Sequence, residues 1–396
     1  MGVVGKSCRD SKSEAVSGAA REPIRAAFVG GGYDSAVGRV HRTAIELDQR
    51  FRLVAGCFNR ELGASKASAR QYGISPMRAY NSLDQLLAKE AHHIDVVIVL
   101  TPQELHAEHV IALLDAGCPV ICEKALATSV TACDSIRHRL HSTGGFLAVT
   151  YNYTGYPMLR ELKQMVADGK LGRVQQIHIE MPQEGFAKVD AVGQPIVPQE
   201  WRLRDGVVPT LSLDLGVHVD IIARFLTEQK PEAVVGMTSS LGNFREVSDN
   251  IGCLVRYSGG MQGIVWYGKT ALGYRNGLRV RIFGTNGGAE WVQENPEILS
   301  LADKIGNRYI IDRGSPGIQI STDKRYQRFK VGHPAGFLEA FANYYADVAD
   351  ALEEFLATGD SLLRGYVFGA DESVEGLRFL EAVARSSENG RWESVV

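Results

Sequence analysis

From residue 24 to about residue 150 the chain alternates between two patterns. Short, nearly unbroken apolar runs rich in Val and Ile (IRAAFVG, FRLVAGC, IDVVIVL, PVICE, FLAVT) are separated by longer stretches with helical spacing, such as Glu104 to Ala116. A strand without polar alternation is covered on both faces, and strands separated by helices run parallel. The spacing predicts a doubly wound α/β domain over residues 24–150. Beyond it the pattern changes. Residues 156–169 and 212–226 have helical spacing. Between about 232 and 301 come β-rich runs (EAVVGMTSS, NIGCLVRY, MQGIVWYG, LRVRIFG, GAEWVQ) punctuated by Gly and Asn, which are turn signals. Residues 334–356 and 371–386 return to helical spacing. The expected second domain, 151–396, is α+β with a large open, mainly antiparallel sheet that binds substrate and mediates oligomerisation. Its C-terminal helices are expected to pack back on the first domain. Residues 1–23 read as a flexible N-terminal extension.

Composition narrows the partners. A chain of 396 residues accommodates two domains, and 45% hydrophobic with 22% charged residues is the balance of a soluble globular protein. A net charge of -3, from 43 basic and 46 acidic residues, argues against nucleic acid or an anionic membrane surface as a partner. No run of about 18 apolar residues predicts a membrane span. The first 23 residues lack the apolar segment of a signal peptide, so a cytoplasmic protein is expected. The six cysteines, Cys8, Cys57, Cys118, Cys122, Cys133 and Cys253, fall mostly inside apolar patterns and read as reduced, buried thiols. Cys118 and Cys122 have no second pair or nearby His, and no metal site is expected.

The candidate chemistry lies at the strand ends. After the first strand comes FVGGGYDSAVGRVH. Gly30 and Gly32 supply a G-x-G, and Gly38 follows three residues later than the simple G-x-G-x-x-G spacing. Glycines here permit a tight turn and close approach of backbone to a pyrophosphate, with helix N–H groups near Gly38 facing it. This marks a Rossmann domain for NAD or NADP, although a structural turn would also explain the glycines. The second strand ends in Cys57-Phe58-Asn59-Arg60-Glu61. No acid stands at the tip for the ribose of NAD, and Arg60 suits the 2′-phosphate of NADP, or is a solvated helix-start residue. Thr101-Pro102 ends a third strand toward the ligand crevice. Lys124 ends the strand Val120-Ile121-Cys122, where a lysine is either solvated or catalytic. Asp214 and His218, four apart on an otherwise apolar helical stretch, share one face. They are either a satisfied core pair or, with Lys124, a proton-transfer set.

Taken together, residues 24–386 resemble the Gfo/Idh/MocA oxidoreductases, the family of glucose-fructose oxidoreductase and inositol dehydrogenase. The carriers are the glycine loop with its tail Gly38 to His41, Thr101-Pro102, Glu123-Lys124 and the D-x-G-x-H at 214–218. NYTGYPM (152–158), EWR (200–202), NGLRVRIFGTNGG (276–288) and GHPAGFLEAFANYYAD (332–347) resemble one branch of it. The resemblance implies NAD or NADP in the first domain, with His41, His106, Glu123 and Lys124 among the cofactor-binding residues. It implies a sugar, sugar derivative or cyclitol as substrate. His218 would be the base, Lys124 would hydrogen-bond the reacting oxygen, and Asp214 would bind a neighbouring hydroxyl or tune the other two. Tyr153, Trp201 and Arg202 are candidate substrate contacts or ordinary packing residues. It also implies a homodimer or homotetramer built through the second sheet. Two departures stand out. The family's E-K-P is E-K-A here, and Ala125 is expected to leave a trans peptide where proline permits cis. The stretch 207–212, VVPTLS, replaces a glycine-rich run. Three functions follow as expectations: hydride transfer from a secondary ring hydroxyl; a redox-neutral glycoside cleavage or epimerisation with recycled cofactor; or a non-catalytic nucleotide-binding homologue.

Overall fold

The computed structural model describes residues 22–363 and 365–396. Cys8 and nearly all of the expected extension over residues 1–23 lie outside the described residues. The first half builds β1 (Ile24–Gly30), α1 (Ala36–Glu46), β2 (Phe51–Cys57), α2 (Leu62–Gln71), α3 (Leu83–Glu90), β3 (Val96–Leu100), α4 (His106–Asp115), β4 (Val120–Glu123), α5 (Val130–Thr143) and β5 (Leu147–Thr150). The five strands form one parallel sheet in the order β2-β1-β3-β4-β5. Every residue of β3 is buried, as a strand covered on both faces requires.

The second half builds α6 (Pro157–Ala167), β6 (Val174–Pro182), α7 (Val217–Thr227), β7 (Pro231–Ser239), β8 (Asn250–Tyr257), β9 (Gln262–Gly268), β10 (Arg279–Gly284), β11 (Gly287–Val292), β12 (Leu299–Asp303) and β13 (Arg308–Ile311), then α8 (Phe337–Thr358), α9 (Ala370–Asn389) and β14 (Glu393–Ser394). These nine strands form a second sheet in the order β13-β12-β11-β10-β6-β9-β8-β7-β14. It is antiparallel except for one pair, β6 with β9, which run parallel. The strand β6, at the centre of the sheet, is absent from the expected set, as are β12, β13 and β14. Its segment VQQIHIEMP buries Ile177, Ile179 and Met181 on one side and sets Gln176, His178 and Glu180 on the other. That polar half hides a central strand.

Helices α6, α7 and α9 cover one face of the second sheet. On the other face Met237, Leu254, Ile264 and Phe283 are exposed. Helix α8 returns to pack on α1, and α9 packs on α5. One apolar core runs from Val97 and Val120 of the first sheet through Leu159 and Leu215 to Val265 and Trp291 of the second. The five described cysteines are free and buried. Among the described residues no helix is long and apolar enough to cross a membrane.

The turn after β1 depends on glycine. Gly30 and Gly31 have φ of 82° and 63°, which L side chains adopt only with strain. Gly38, in the first turn of α1, lies against this turn: a Cβ there would sit 2.2 Å from the Gly31 carbonyl oxygen. Gly38→Ala should therefore force helix and turn apart and cost about 1–3 kcal/mol of stability, the range of an overpacked contact. Chemical denaturation measures this, and an unchanged midpoint would show that the turn gives way freely.

Candidate active site

A cleft of about 910 Å³ runs along the C-terminal ends of β1 to β4. Gly30 and Gly31 wall it at the end of β1, and Ser35 and Ala36 at the start of α1. The Ser35 hydroxyl caps that helix by accepting from Gly38 N–H. The remaining first-turn N–H groups form a positive helix end beside the bare glycine backbone, the chemistry of a phosphate cradle. Asn59 and Arg60 wall the cleft at the tip of β2, and Thr101 and Pro102 at the end of β3. The Glu61 carboxylate is engaged elsewhere, accepting from Gly63 and Ala64 as the cap of α2. The donor set and the bare turn fit a dinucleotide.

At the end of β4 the strand is anchored through Glu123. His41 Nε2 lies 3.0 Å from Glu123 Oε1, and the Thr150 hydroxyl donates to the same oxygen. His41 Nδ1 lies 2.5 Å from the Tyr345 hydroxyl of α8. Burial alone would raise the Glu123 pKa, but His41, Lys124 and Thr150 outweigh it and bring it to about 2. His106 braces the next turn, with Nδ1 and Nε2 each 2.8 Å from the carbonyls of Ala125 and Thr101. The peptide bond between Lys124 and Ala125 is cis, which corrects the expectation of a trans bond. That expectation weighed the dipeptide alone. Here the Ala125 methyl is buried and its carbonyl is held by His106.

Lys124 reaches out of this turn to the second half of the chain. Its Nζ donates to the Asp214 carbonyl at 2.8 Å and to Asp214 Oδ1 at 3.1 Å. Residues 212–226 were expected as one regular helix. They begin instead with a π-turn, Ser212–Gly216, that leads into α7. Such turns insert a residue and concentrate at functional sites. Asp214 Oδ2 accepts from Lys269 Nζ at 2.5 Å and from Arg202. Burial pushes the Asp214 carboxyl up, and the three cations overcome it and hold it well below the usual range. Arg202 stacks on the Trp201 ring at 4.2 Å. His218 is buried one turn later, its ring edge-on to Tyr153 at 4.6 Å and its Nδ1 without a partner. Burial, reinforced by Lys124, lowers its pKa to about 3. The Tyr153 hydroxyl accepts from Asn276, and burial raises its pKa to about 12.

The structure thus brings Gly30, Asn59, Arg60, Thr101, Pro102, Glu123, Lys124, Tyr153, Trp201, Arg202, Asp214 and His218 onto one cleft. His41 and His106 lie on its wall with both ring nitrogens already engaged. Gly32 and Gly38 lie off the cleft, and Gly38 serves helix packing instead. At its inner end the cleft opens into a cavity of about 240 Å³ whose walls include Lys269 and Gln183. Three residues of the cleft and this cavity went unassigned in the sequence: Gly31 and Asn152 in the cleft and Lys269 in the cavity. Gly31 is the middle of a three-glycine run. Asn152, 5% exposed, has an amide nitrogen without a partner and lies beside Tyr153 in the NYTGYPM stretch. Lys269 follows β9 on its inward side, in step with buried Gly263, Val265 and Tyr267, and that alternation is its signal.

Comparison with known proteins agrees with this geometry. Residues 24–151 match the "Oxidoreductase family, NAD-binding Rossmann fold" and residues 159–290 match the "GFO/IDH/MocA C-terminal domain". The uncharacterized oxidoreductase YfiI of Bacillus subtilis is 28% identical over 93% of this chain and 96% of its own. The inositol dehydrogenase homolog of Azotobacter vinelandii, solved with NADH and myo-inositol, is 30% identical over 94% of this chain and 98% of its own, with a TM-score of 0.84. Levoglucosan dehydrogenase of Pseudarthrobacter phenanthrenivorans is 25% identical over 70% of this chain and 76% of its own.

The His218 shift has a consequence for stability. Its folded pKa of about 3 lies below the ordinary imidazole value, so between these two pH values the unfolded chain binds the extra proton. The stabilisation is complete above pH ~6.5 and is lost as pH falls, at about 1.4 kcal/mol per unit. His218→Gln should lessen the fall in thermal midpoint between about pH 7 and pH 5. The same fall in both proteins would mean that His218 does not carry this proton linkage.

Proposed function

The chain belongs to the GFO/IDH/MocA oxidoreductase family, and on that premise we propose that it is a nicotinamide-dependent dehydrogenase oxidising a secondary ring hydroxyl of a sugar, sugar derivative or cyclitol. The observation that carries this function is the meeting of Lys124, Asp214 and His218 where the dinucleotide-sized cleft opens into the smaller, polar cavity. The relatives named with myo-inositol and levoglucosan support the same substrate class.

Gly30, Gly31 and the start of α1 would hold the pyrophosphate, Asn59 and Arg60 the adenosine ribose, and Thr101 and Pro102 the middle of the cofactor. The free amide of Asn152 would meet the nicotinamide end. When bound, the nicotinamide supplies the acceptor for a hydride leaving the carbinol carbon. His218, uncharged, offers a lone pair and takes the hydroxyl proton. Lys124 donates to the same oxygen and stabilises the negative charge that develops there. Asp214 orients Lys124 through its carbonyl and carboxylate, and its charge favours the proton arriving on His218. Tyr153 and the Trp201–Arg202 stack form the walls on which a polyol ring lies. His41, His106 and Glu123 brace the backbone that presents Lys124. With Glu61 committed to a helix cap, Asn59 and Arg60 decide between NAD and NADP.

On this proposal residues 24–150 bind cofactor and residues 151–396 bind substrate. The open face of the second sheet, with Met237, Leu254, Ile264 and Phe283 exposed, joins copies into a dimer or tetramer in the cytoplasm.

The test is the absorbance of reduced nicotinamide, followed with NAD⁺ or NADP⁺ and a panel of sugars, sugar acids, sugar phosphates and inositols. Expected is a rise with one class and a loss of about 10²-fold or more in kcat for Lys124→Met, the size seen when a charge-stabilising donor is removed. Full activity in that variant, or a flat trace in a protein that binds cofactor, would overturn the assignment.

A further inference from the structure

The smaller cavity has an unusual charge balance. Its wall carries three basic side chains, Lys124, Arg202 and Lys269, and Asp214 is its sole acid among the described residues. Burial lowers the Lys269 pKa against the pull of Asp214. His218, on the same wall, is neutral near pH 7. A further carboxylate, Glu123, precedes Lys124 and interacts with it while bound to His41 and Thr150. Against the three basic groups stand the carboxylates of Asp214 and Glu123, so the basic side chains outnumber the acids by one. Burial makes this costly: the Lys269 side chain is 8% exposed and that of Lys124 14%. A charge left over in such surroundings is relieved by an arriving counter-charge or by loss of the proton, and an anion bound here would favour the charged form of Lys269.

The hydrogen-bonding inventory is equally one-sided. Lys269 Nζ has three donors and gives one to Asp214, and Arg202 has five and gives one to the same carboxylate. Both groups only donate. The carboxylate that could accept from a substrate hydroxyl already accepts from three basic groups, and the Tyr153 hydroxyl accepts from Asn276. A neutral polyol donates as often as it accepts, whereas on this wall donors outnumber acceptors. A group that only accepts, and carries negative charge, matches the wall. A guanidinium over the Trp201 ring is suited to two oxygens of such a group.

We propose that the substrate is an acidic one: a polyhydroxylated ring or chain whose carboxylate or phosphate oxygens are bound by Lys269 and Arg202 beside the hydroxyl that Lys124 and His218 engage. This rests on the dehydrogenase reading and adds the substrate's charge to it. Lys269 is a binding residue on this view, whereas a purely positioning role would have it only hold Asp214 in place.

The experiment compares a uronate, an aldonate, a hexose phosphate, a neutral hexose and an inositol under steady-state conditions, in wild type and Lys269→Met. Expected is a kcat/KM at least about 100-fold higher for an anionic member, with the better anion distinguishing carboxylate from phosphate. In the variant that advantage should shrink by about 10- to 100-fold, the worth of one charge-assisted hydrogen bond, falling on KM more than on kcat. Lys269→Arg, which keeps the charge, should recover most of it. Equal or better use of neutral members, or a loss in the variant equal for charged and neutral members and confined to kcat, would overturn the proposal. If no member is oxidised, the dehydrogenase reading fails by itself. Calorimetric binding of the same compounds to protein loaded with NADH then decides the anion site: tighter binding of anions that Lys269→Met weakens supports it, and indifference to charge overturns it. If Lys269→Met does not fold, inorganic phosphate serves on the wild type. Displacement of the bound organic anion by phosphate supports the site, and no displacement overturns it.

Discussion

Three cations converge on one carboxylate, that of Asp214, and the geometry of the site hangs on that meeting. Like charges within a few ångströms of each other in a largely buried setting repel strongly, and Asp214 is what allows Lys124, Lys269 and Arg202 to share a wall. The benefit runs both ways, since the same cations keep Asp214 ionised against its burial. Any substitution that removes the carboxylate leaves cations without a partner, a far larger perturbation than the loss of one hydrogen bond.

The fold brings these charges together from separate places. Lys124 leaves the end of β4 in the parallel sheet, Lys269 leaves the end of β9 in the mixed sheet, Arg202 comes from the connection after β6, and Asp214 sits in the π-turn before α7. The strand ends of the two sheets therefore face one another across the cavity. Their relative placement is secured away from the chemistry by the continuous apolar core and by the chain from Tyr345 through His41 to Glu123. That chain ties α8, from the end of the sequence, to the residue just before Lys124.

Much of this was legible in the residues. The unbroken apolar runs announced a parallel sheet, and the alternating runs after residue 230 announced the second one. Lys124, Asp214 and His218 stood out as polar groups where apolar elements end. What escaped had physical reasons. Strand β6 carries Gln, His and Glu on its outer side, so its apolar half is too sparse to mark the sheet's centre. The parallel pairing of β6 with β9 is a matter of topology, which no local pattern encodes. The π-turn at Ser212–Gly216 is invisible to a spacing rule built on regular helices. The cis bond at Ala125 reflects packing around His106, which joins residues nineteen positions away in the chain. Lys269 was readable in principle: β9 turns its odd-numbered residues inward, and a lysine in that register has to be buried. A single charged residue at a strand end looks like any solvated one until the opposite wall is known.

The most direct measurement is a crystal structure of the protein soaked with NAD and an acidic sugar. Expected is the pyrophosphate on the Gly30–Gly31 turn and the start of α1, the nicotinamide facing Lys124 and His218, and the anionic group on Lys269 and Arg202. A cofactor bound elsewhere, or a ligand that leaves Lys124 and Asp214 untouched, would contradict the assignment of this cleft as the active site.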